Sequence, residues 1–461
     1  MEENMTSEEL QQLLADVRRY RDEARRYRDE ARQLRTETAH YMKAFRLERD
    51  LMPEESEKWI AEGIPTRKGV DACYGVGGDS YLLYRKGSGK DEYKAYQEQL
   101  LQNGFQRYSE GEVGTLRHSC FVNDQAIVNL SFSTSDGVLR SVVEDKHKTA
   151  LPPLDEIRDG DRTGVAPKVV LFGDLYYEAA DCGMGYIFRM EDGTFLVIDG
   201  PFNAPNTVVD HFFGHLESLA EGGPIVISAW ILTHAHPDHT RIFSALAKKY
   251  ADRVQVRRLI HNFPGKMMLY GSGHQNWAEY EYGLVEGAIK AYQPSPTFIR
   301  AHTGQTYSFP GLSVDILFTL DDFKQPFFPD NFNATSLVFR LTVAGQTFMF
   351  LGDTDPTAIG IFGKRFGDLL KSDVVQVAHH GYYGGTKEIY DVIAAPIVLW
   401  PVPYIHPITK AGRYNDPNFS MVTREMIRDH AKAVYLQWKG TDILSLPLSG
   451  LEGNTLMTDE D

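Results

Sequence analysis

Hydrophobic positions follow three different patterns along the chain. In residues 1–52 one seam runs through Leu10, Val17, Ala24, Ala31, Thr38 and Phe45, and a second through Leu13, Tyr20, Tyr27, Leu34 and Tyr41. This 3.5-residue spacing, with the stretch Arg-Arg-Tyr-Arg-Asp-Glu-Ala at 18–24 repeated at 25–31, predicts a coiled-coil helix that Pro53 ends. A single long helix packed on its own protein is the alternative. Residues 64–144 mix a helical stretch at 91–103, closed by Gly104, with alternating stretches at 126–132 and 138–143, which predicts a small α+β domain. The glycines at 75, 77 and 78 lack the lysine of a phosphate-binding loop and read as a hairpin turn. Residues 145–167, rich in proline, glycine and charge, read as a linker.

Beyond Lys168 the pattern changes to short apolar runs separated by amphipathic ones. Strands are expected at 169–172, 186–189, 194–198, 225–232, 312–318, 335–341, 347–351, 374–377 and 397–402, and helices at 208–219, 241–250, 277–292 and 421–431. Alternation of this kind predicts a layered α/β domain over 168–461.

Composition narrows the function. The 461 residues are 42% hydrophobic and 24% charged, the balance of a folded globular protein. There are 48 Lys and Arg against 63 Asp and Glu, a net charge of −15, so stable binding to duplex DNA is not expected. No apolar run is long enough for a membrane span, and residues 1–9 are acidic rather than signal-like, which favours the cytoplasm. The three widely spaced cysteines, Cys73, Cys120 and Cys182, indicate neither a disulfide framework nor a cysteine zinc site.

The chemistry concentrates where the 225–232 strand ends, in Thr-His-Ala-His-Pro-Asp-His at 233–239. His234 and His236 are two apart, so in extended backbone both rings face one side and can share an ion. Asp238 and His239 lie just beyond, in a turn, and can serve a second. Imidazole and carboxylate suit Zn²⁺, with Mn²⁺ or iron as alternatives. A second buried strand delivers His379 and His380 before Gly381, and Asp353 ends another in Phe-Leu-Gly-Asp.

In these motifs the chain resembles the metallo-β-lactamase superfamily, whose His-x-His-x-Asp-His signature is matched by His234, His236, Asp238 and His239. The double histidine and the Leu-Gly-Asp upstream are most similar to the hydrolase domain of competence-type DNA-uptake proteins and their phosphorylcholine-esterase relatives. The resemblance covers about Lys168 to Leu448 and implies an αββα sandwich binding one or two ions. It implies that Asp353 touches both metals, that Asp199 supports the metal loop, and that one of His379 and His380 is a ligand. The other is then a proton donor or substrate contact, and the order along the strand favours His379 as ligand and His380 in the catalytic role. The histidine that many members carry before the bridging aspartate is absent: residues 330–336 read Asp-Asn-Phe-Asn-Ala-Thr-Ser, with Asn333 near that place. The first site is therefore expected to hold His234, His236, Asp353 and solvent. His261 and His302 are weaker substitutes.

The resemblance implies hydrolysis by a metal-activated water that Asp238 orients or deprotonates. A phosphodiester or other phosphoester is favoured, as a small molecule, nucleotide or short single strand, with Tyr382, Tyr383, Tyr404, His406 and Lys410 as a possible phosphate rim. Thioester, lactone or β-lactam substrates are the alternatives within the superfamily. A further alternative is a regulatory or binding protein assembled through its coiled coil, with the hydrolase domain as sensor. Self-association through residues 1–52 is expected in either case.

Overall fold

The computed structural model describes residues 63–65, 71–77, 80–173, 184–202, 207–265, 275–324, 332–382, 384–401, 423–437 and 440–450. The expected coiled coil at 1–52 lies outside them, as do Tyr383, Tyr404, His406 and Lys410. The chain divides into two compact units, Met1–Glu62 and Gly63–Asp461.

The second unit begins with a six-stranded antiparallel sheet: β1 (Asp71–Gly77), β2 (Ser80–Lys86), β3 (Gln106–Val113), β4 (Leu116–Val122), β5 (Ala126–Ser133) and β6 (Val138–Asp145), in the order β1-β2-β6-β5-β4-β3. Helix α1 (Lys90–Gln102) joins β2 to β3. Gly75 and Gly77 lie on β1, with Gly77 paired to Ser80 of β2; Gly78 lies outside the described residues.

Two further sheets follow. The first comprises β7 (Lys168–Leu171), β8 (Gly185–Arg189), β9 (Phe195–Asp199), β10 (Ile225–Ile231), β11 (Val254–Val256), β12 (Arg258–His261), β13 (Thr297–Arg300) and a late strand at Asp442–Ser445. The second runs β14 (Thr306–Phe309), β15 (Leu312–Phe318), β16 (Val338–Val343), β17 (Gln346–Phe350), β18 (Val374–Gln376), β19 (Ile397–Trp400) and β20 (Ala433–Leu436) in that spatial order; the late strand is then β21. Each sheet has an antiparallel half and a parallel half: β9, β10, β12 and β13 are parallel in one, and β17 to β20 in the other.

Side chains alternate between two cores, which explains the near-continuous apolar runs. Leu196, Ile198, Ala229 and Ile231 of the first sheet meet Phe339, Leu341, Phe348 and Phe350 of the second. The intervening Phe195, Val197 and Trp230 pack under helices α2 (Val208–Ala220), α3 (Pro237–Tyr250) and α4 (Gln275–Ala291). On the far face Met349, Leu351, Val375 and Val398 pack against α5 (Pro356–Phe366) and α6 (Lys387–Ile393). The order is helix, sheet, sheet, helix, so the domain is mixed α/β in four layers. Among the described residues, no helix is long and apolar enough to cross a membrane.

The N-terminal sheet shares the last of these cores, through Leu82, Tyr84, Leu116, Val138 and Val142. Buried charges reinforce the contact. Arg140 on β6 donates to the Asp322 carbonyl (3.1 Å), Arg365 on α5 donates to the Asp322 carboxylate (2.6 Å), and Glu144 lies 3.0 Å from both Arg300 Nε and His302 Nε2. The expected linker carries no helix or strand between 146 and 167. It is nevertheless held by backbone bonds from Ala150 to Phe298, Ile157 to Ser308 and Val165 to Glu191, with Ile157 buried between the two sheets.

Candidate metal centre

The parallel strands of both sheets aim their carboxyl ends at one place, the usual position for a site in an open α/β sheet. Asp199 ends β9, the 233–239 segment follows β10, Asp353 follows β17, and His379 and His380 follow β18. Two groups of possible ligands form there: His234, His236 and Asp353, and Asp238, His239 and His380.

Local chemistry holds each loop. Pro237 and Asp238 open α3, with His236 at its N-cap position in extended backbone. Gly352 has φ 56°, and a Cβ there would lie 2.8 Å from Cβ of Ser336, so the turn that presents Asp353 needs glycine. The Ser336 hydroxyl accepts from the Asp353 amide (3.0 Å), and Gln376 Oε1 accepts from the amides of Leu351 and Gly352. His379 and His380 both adopt left-handed backbone, φ 49° and 54°, an unusual conformation for non-glycine residues that the surrounding bonds enforce. Gly381 follows at φ 85°, against the Trp400 indole, which donates to the His380 carbonyl (2.9 Å).

Hydrogen bonds to the other ring nitrogen set the tautomers. The Thr233 hydroxyl donates to Asp199 Oδ2 (2.7 Å), so its oxygen is left to accept from His234 Nδ1 (3.1 Å). His239 Nδ1 donates to the same carboxylate (2.8 Å), and His380 Nδ1 to the Pro401 carbonyl (2.7 Å). Each ring thereby turns its Nε2 inward. Asp353 Oδ2 lies 3.8, 3.4 and 3.4 Å from Nε2 of His234, His239 and His380, and Asp238 Oδ2 lies 3.8 and 3.4 Å from those of His239 and His380.

These separations decide between two interpretations. A hydrogen bond from nitrogen to oxygen spans roughly 2.7–3.2 Å. Two ligands at about 2.0–2.1 Å from one tetrahedral ion stand about 3.3 Å apart. The contacts of 3.4 Å match co-ligands, and His234 Nε2, His239 Nε2 and Asp353 Oδ1 are buried without a hydrogen-bond partner. Orphaned, converging, electron-rich atoms of this kind fit a divalent cation.

The electrostatics agree. Burial, reinforced by the neighbouring histidines, holds His234 well below the ordinary histidine value, and burial lowers His236 to about 4; both rings are therefore neutral and competent as ligands. Burial opposes the charged form of His239 too, but Asp353, Asp238 and Asp199 outweigh it and raise that ring well above the usual range, so without an ion its Nε2 holds a proton that a bound cation would displace. Asp353 is pushed well below the usual carboxylate range by His380 and His239 despite its burial.

Of the paired histidines, expected with His379 as the ligand, the geometry brings His380 into a group of possible ligands. His379 lies outside both groups: its Nε2 is 3.0 Å from the Asn333 amide nitrogen and 3.9 Å from Asp353, and its side chain is 23% exposed, whereas His380 is 1% exposed. Asn333 sits in a short 3-10 turn at 333–335, whose last residue opens the expected 335–341 strand, and that strand begins at Val338. The Tyr382 ring lies 5.9 Å from His379 and 6.2 Å from His380. His302 is bound between Glu144 and Asp321, and His261 stacks on Phe263; neither joins a group. Sequence reasoning missed Thr233 and the Pro401 carbonyl. The hydroxyl directly before His234 was a signal for the first, whereas a backbone carbonyl leaves none.

No family model matches the chain, and no curated protein matches it. Among solved structures it is similar to CmlA, a diiron beta-hydroxylase from Streptomyces venezuelae, at 13% identity over 62% of this chain and 55% of that one, with a TM-score of 0.36. A mutant of the same hydroxylase gives 13% identity, 61% and 54% coverage, and a TM-score of 0.37. The chain thus spans about half the length of these two. Zn²⁺-bound PqqB from Methylobacterium extorquens is similar at 11% identity over 61% of this chain and 100% of that one, with a TM-score of 0.33.

Proposed function

We propose that the chain is a metal-dependent hydrolase of the metallo-β-lactamase type, acting on a phosphodiester or other small phosphoester. The observation that carries the reading is the pair of ligand groups meeting at Asp353, with Nε2 of His239 and His380 each 3.4 Å from its Oδ2. His234, His236 and Asp353 would hold one ion, and Asp238, His239 and His380 the other, with Asp353 shared. A bound divalent ion supplies Lewis acidity and a water that ionises near neutral pH.

The chain's own residues do the rest. Asp238 keeps a carboxylate edge 19% exposed at the mouth of the site, where it can orient an incoming water and take its proton. The buried rings and the hydrophobic walls behind them exclude bulk water, which strengthens every charge interaction inside. The imidazole of His379, with Nε2 on Asn333, stands at the open side beside Asp353, where it can contact a leaving group or a phosphoryl oxygen. Tyr382 flanks it. The net charge of −15 supports a small substrate over long duplex DNA.

The test is a substrate panel on Zn²⁺- or Mn²⁺-loaded protein: an aryl phosphodiester, an aryl phosphomonoester, a thioester, a lactone and a β-lactam. The proposal expects the phosphodiester to be cleaved fastest, with a loss of at least about a hundredfold in Asp238→Ala. Preferential cleavage of a thioester, lactone or β-lactam would overturn the substrate class.

A further inference from the structure

The metal loop is braced from outside its own strand by a helix that holds no ligand. Glu281 on α4 is fully buried, at 0% exposure, and its carboxylate accepts from Arg241 Nε (2.8 Å) and Nη2, with the Thr240 hydroxyl 3.4 Å away. The Thr240 hydroxyl also lies 3.1 Å from the His236 carbonyl. The guanidinium is flanked by two aromatic rings, with Cζ 5.5 Å from the Phe202 centroid and 5.4 Å from that of Tyr280. Phe202 comes three residues after Asp199, so the same arginine connects α4, the first turn of α3 and the loop that leaves β9.

We propose that Glu281 is a positioning residue for the Asp238, His239 and His380 group. Asp238 and His239 immediately precede Thr240 and Arg241 in the first two turns of α3, and α3 is a rigid unit from Pro237 onward. Asp199 fixes His239 from the sheet side, through Nδ1. On the helix side, Arg241 of the same stretch is tied to Glu281, and the neighbouring Thr240 hydroxyl, beside that carboxylate, bonds the His236 carbonyl. A carboxylate buried this completely costs several kcal/mol of desolvation unless it is paired. Its pairing with a forked, ring-flanked arginine therefore makes the α3 start one of two discrete arrangements, bonded or released, rather than a freely adjustable turn. Releasing it acts first on Asp238 and His239, which lie inside α3, whereas His234 precedes the helix and is held through Thr233.

This inference rests on the metal-centre reading above. The test uses calorimetric Zn²⁺ titration of metal-free protein in two backgrounds. His236→Ala leaves the Asp238 group whole, and His380→Ala leaves the His234 group whole. Glu281→Gln is introduced into each, beside the paired Arg241→Gln/Glu281→Gln, which removes both buried charges together and keeps the test open if the single change does not fold. The expected result is a Zn²⁺ dissociation constant raised about ten- to a hundredfold in the His236→Ala background and within about twofold in the His380→Ala background. Unchanged affinity in the first background, or equal weakening in both, would overturn the positioning role. Failure of both unsubstituted backgrounds to bind Zn²⁺ would overturn the metal-centre reading instead.

Discussion

Asp199 Oδ2 accepts a 2.8 Å hydrogen bond from His239 Nδ1, and both side chains are completely buried. The other carboxylate oxygen accepts the Thr233 amide at 2.7 Å, so one residue at the end of β9 fixes both the loop and the tautomer of a ligand. Asp199→Asn would turn an amide donor toward Nδ1 and shift the ring proton onto Nε2, the atom that faces Asp353. Zn²⁺ affinity measured by titration should fall about ten- to a hundredfold. Unchanged affinity would show that the carboxylate only supports the backbone.

The two adjacent histidines make separable predictions. His380→Ala should lower bound zinc by one equivalent per chain, because His380 points Nε2 at both Asp238 and Asp353. His379→Ala should keep the metal content of the parent and lower only turnover, since its Nε2 faces Asn333. Elemental analysis of both variants checks this directly.

Gly352→Ala should be costly for a steric reason. Its φ is 56° and the new Cβ would meet Ser336 Cβ at 2.8 Å, whereas Gly345, with φ 74°, has nothing within 4 Å. Urea unfolding should show about 1 kcal/mol lost in Gly345→Ala from left-handed backbone alone. Gly352→Ala should lose about 1–3 kcal/mol more from overpacking.

A pH-dependent contribution to stability is built into the contact with the N-terminal sheet. His302 is buried, which disfavours its charged form, but Glu144 and Asp321 overcome this and raise it to about 9 from an ordinary 6.5. A raised histidine stabilises fully below its unfolded value and loses that contribution as pH climbs through the folded one. The stabilisation is on the order of 3 kcal/mol. It should be present at pH 6 and decline between about pH 6.5 and 9.5. His302→Gln should abolish that slope in denaturation curves measured across the range.

The parts of this architecture legible in the sequence are those written in contiguous residues. Six positions from His234 to His239 carry four candidate ligands, and the fully buried strand ahead of them appears as an apolar run. The order of His379 and His380 was not legible because both adopt left-handed backbone, so counting side chains off an extended strand fails there. Glu281 lies 41 positions from Thr240 and resembles any surface glutamate until α4 packs on α3. Strand β3 is largely exposed at an edge, and its polar sequence hides it. Ile157 sits in a proline- and charge-rich stretch, and its amide's bond to Ser308, made across the fold, leaves no pattern in the sequence.

Asp353 stands where the two groups of candidate ligands meet, and a dinuclear centre there would need it for both ions. Elemental analysis of the full chain, purified without chelator or histidine tag, tests it beside Asp353→Ala. The account predicts about two equivalents of zinc or manganese per chain in the parent and loss of both in the variant. A parent that binds no metal after reconstitution, or a variant that keeps two equivalents, would contradict it.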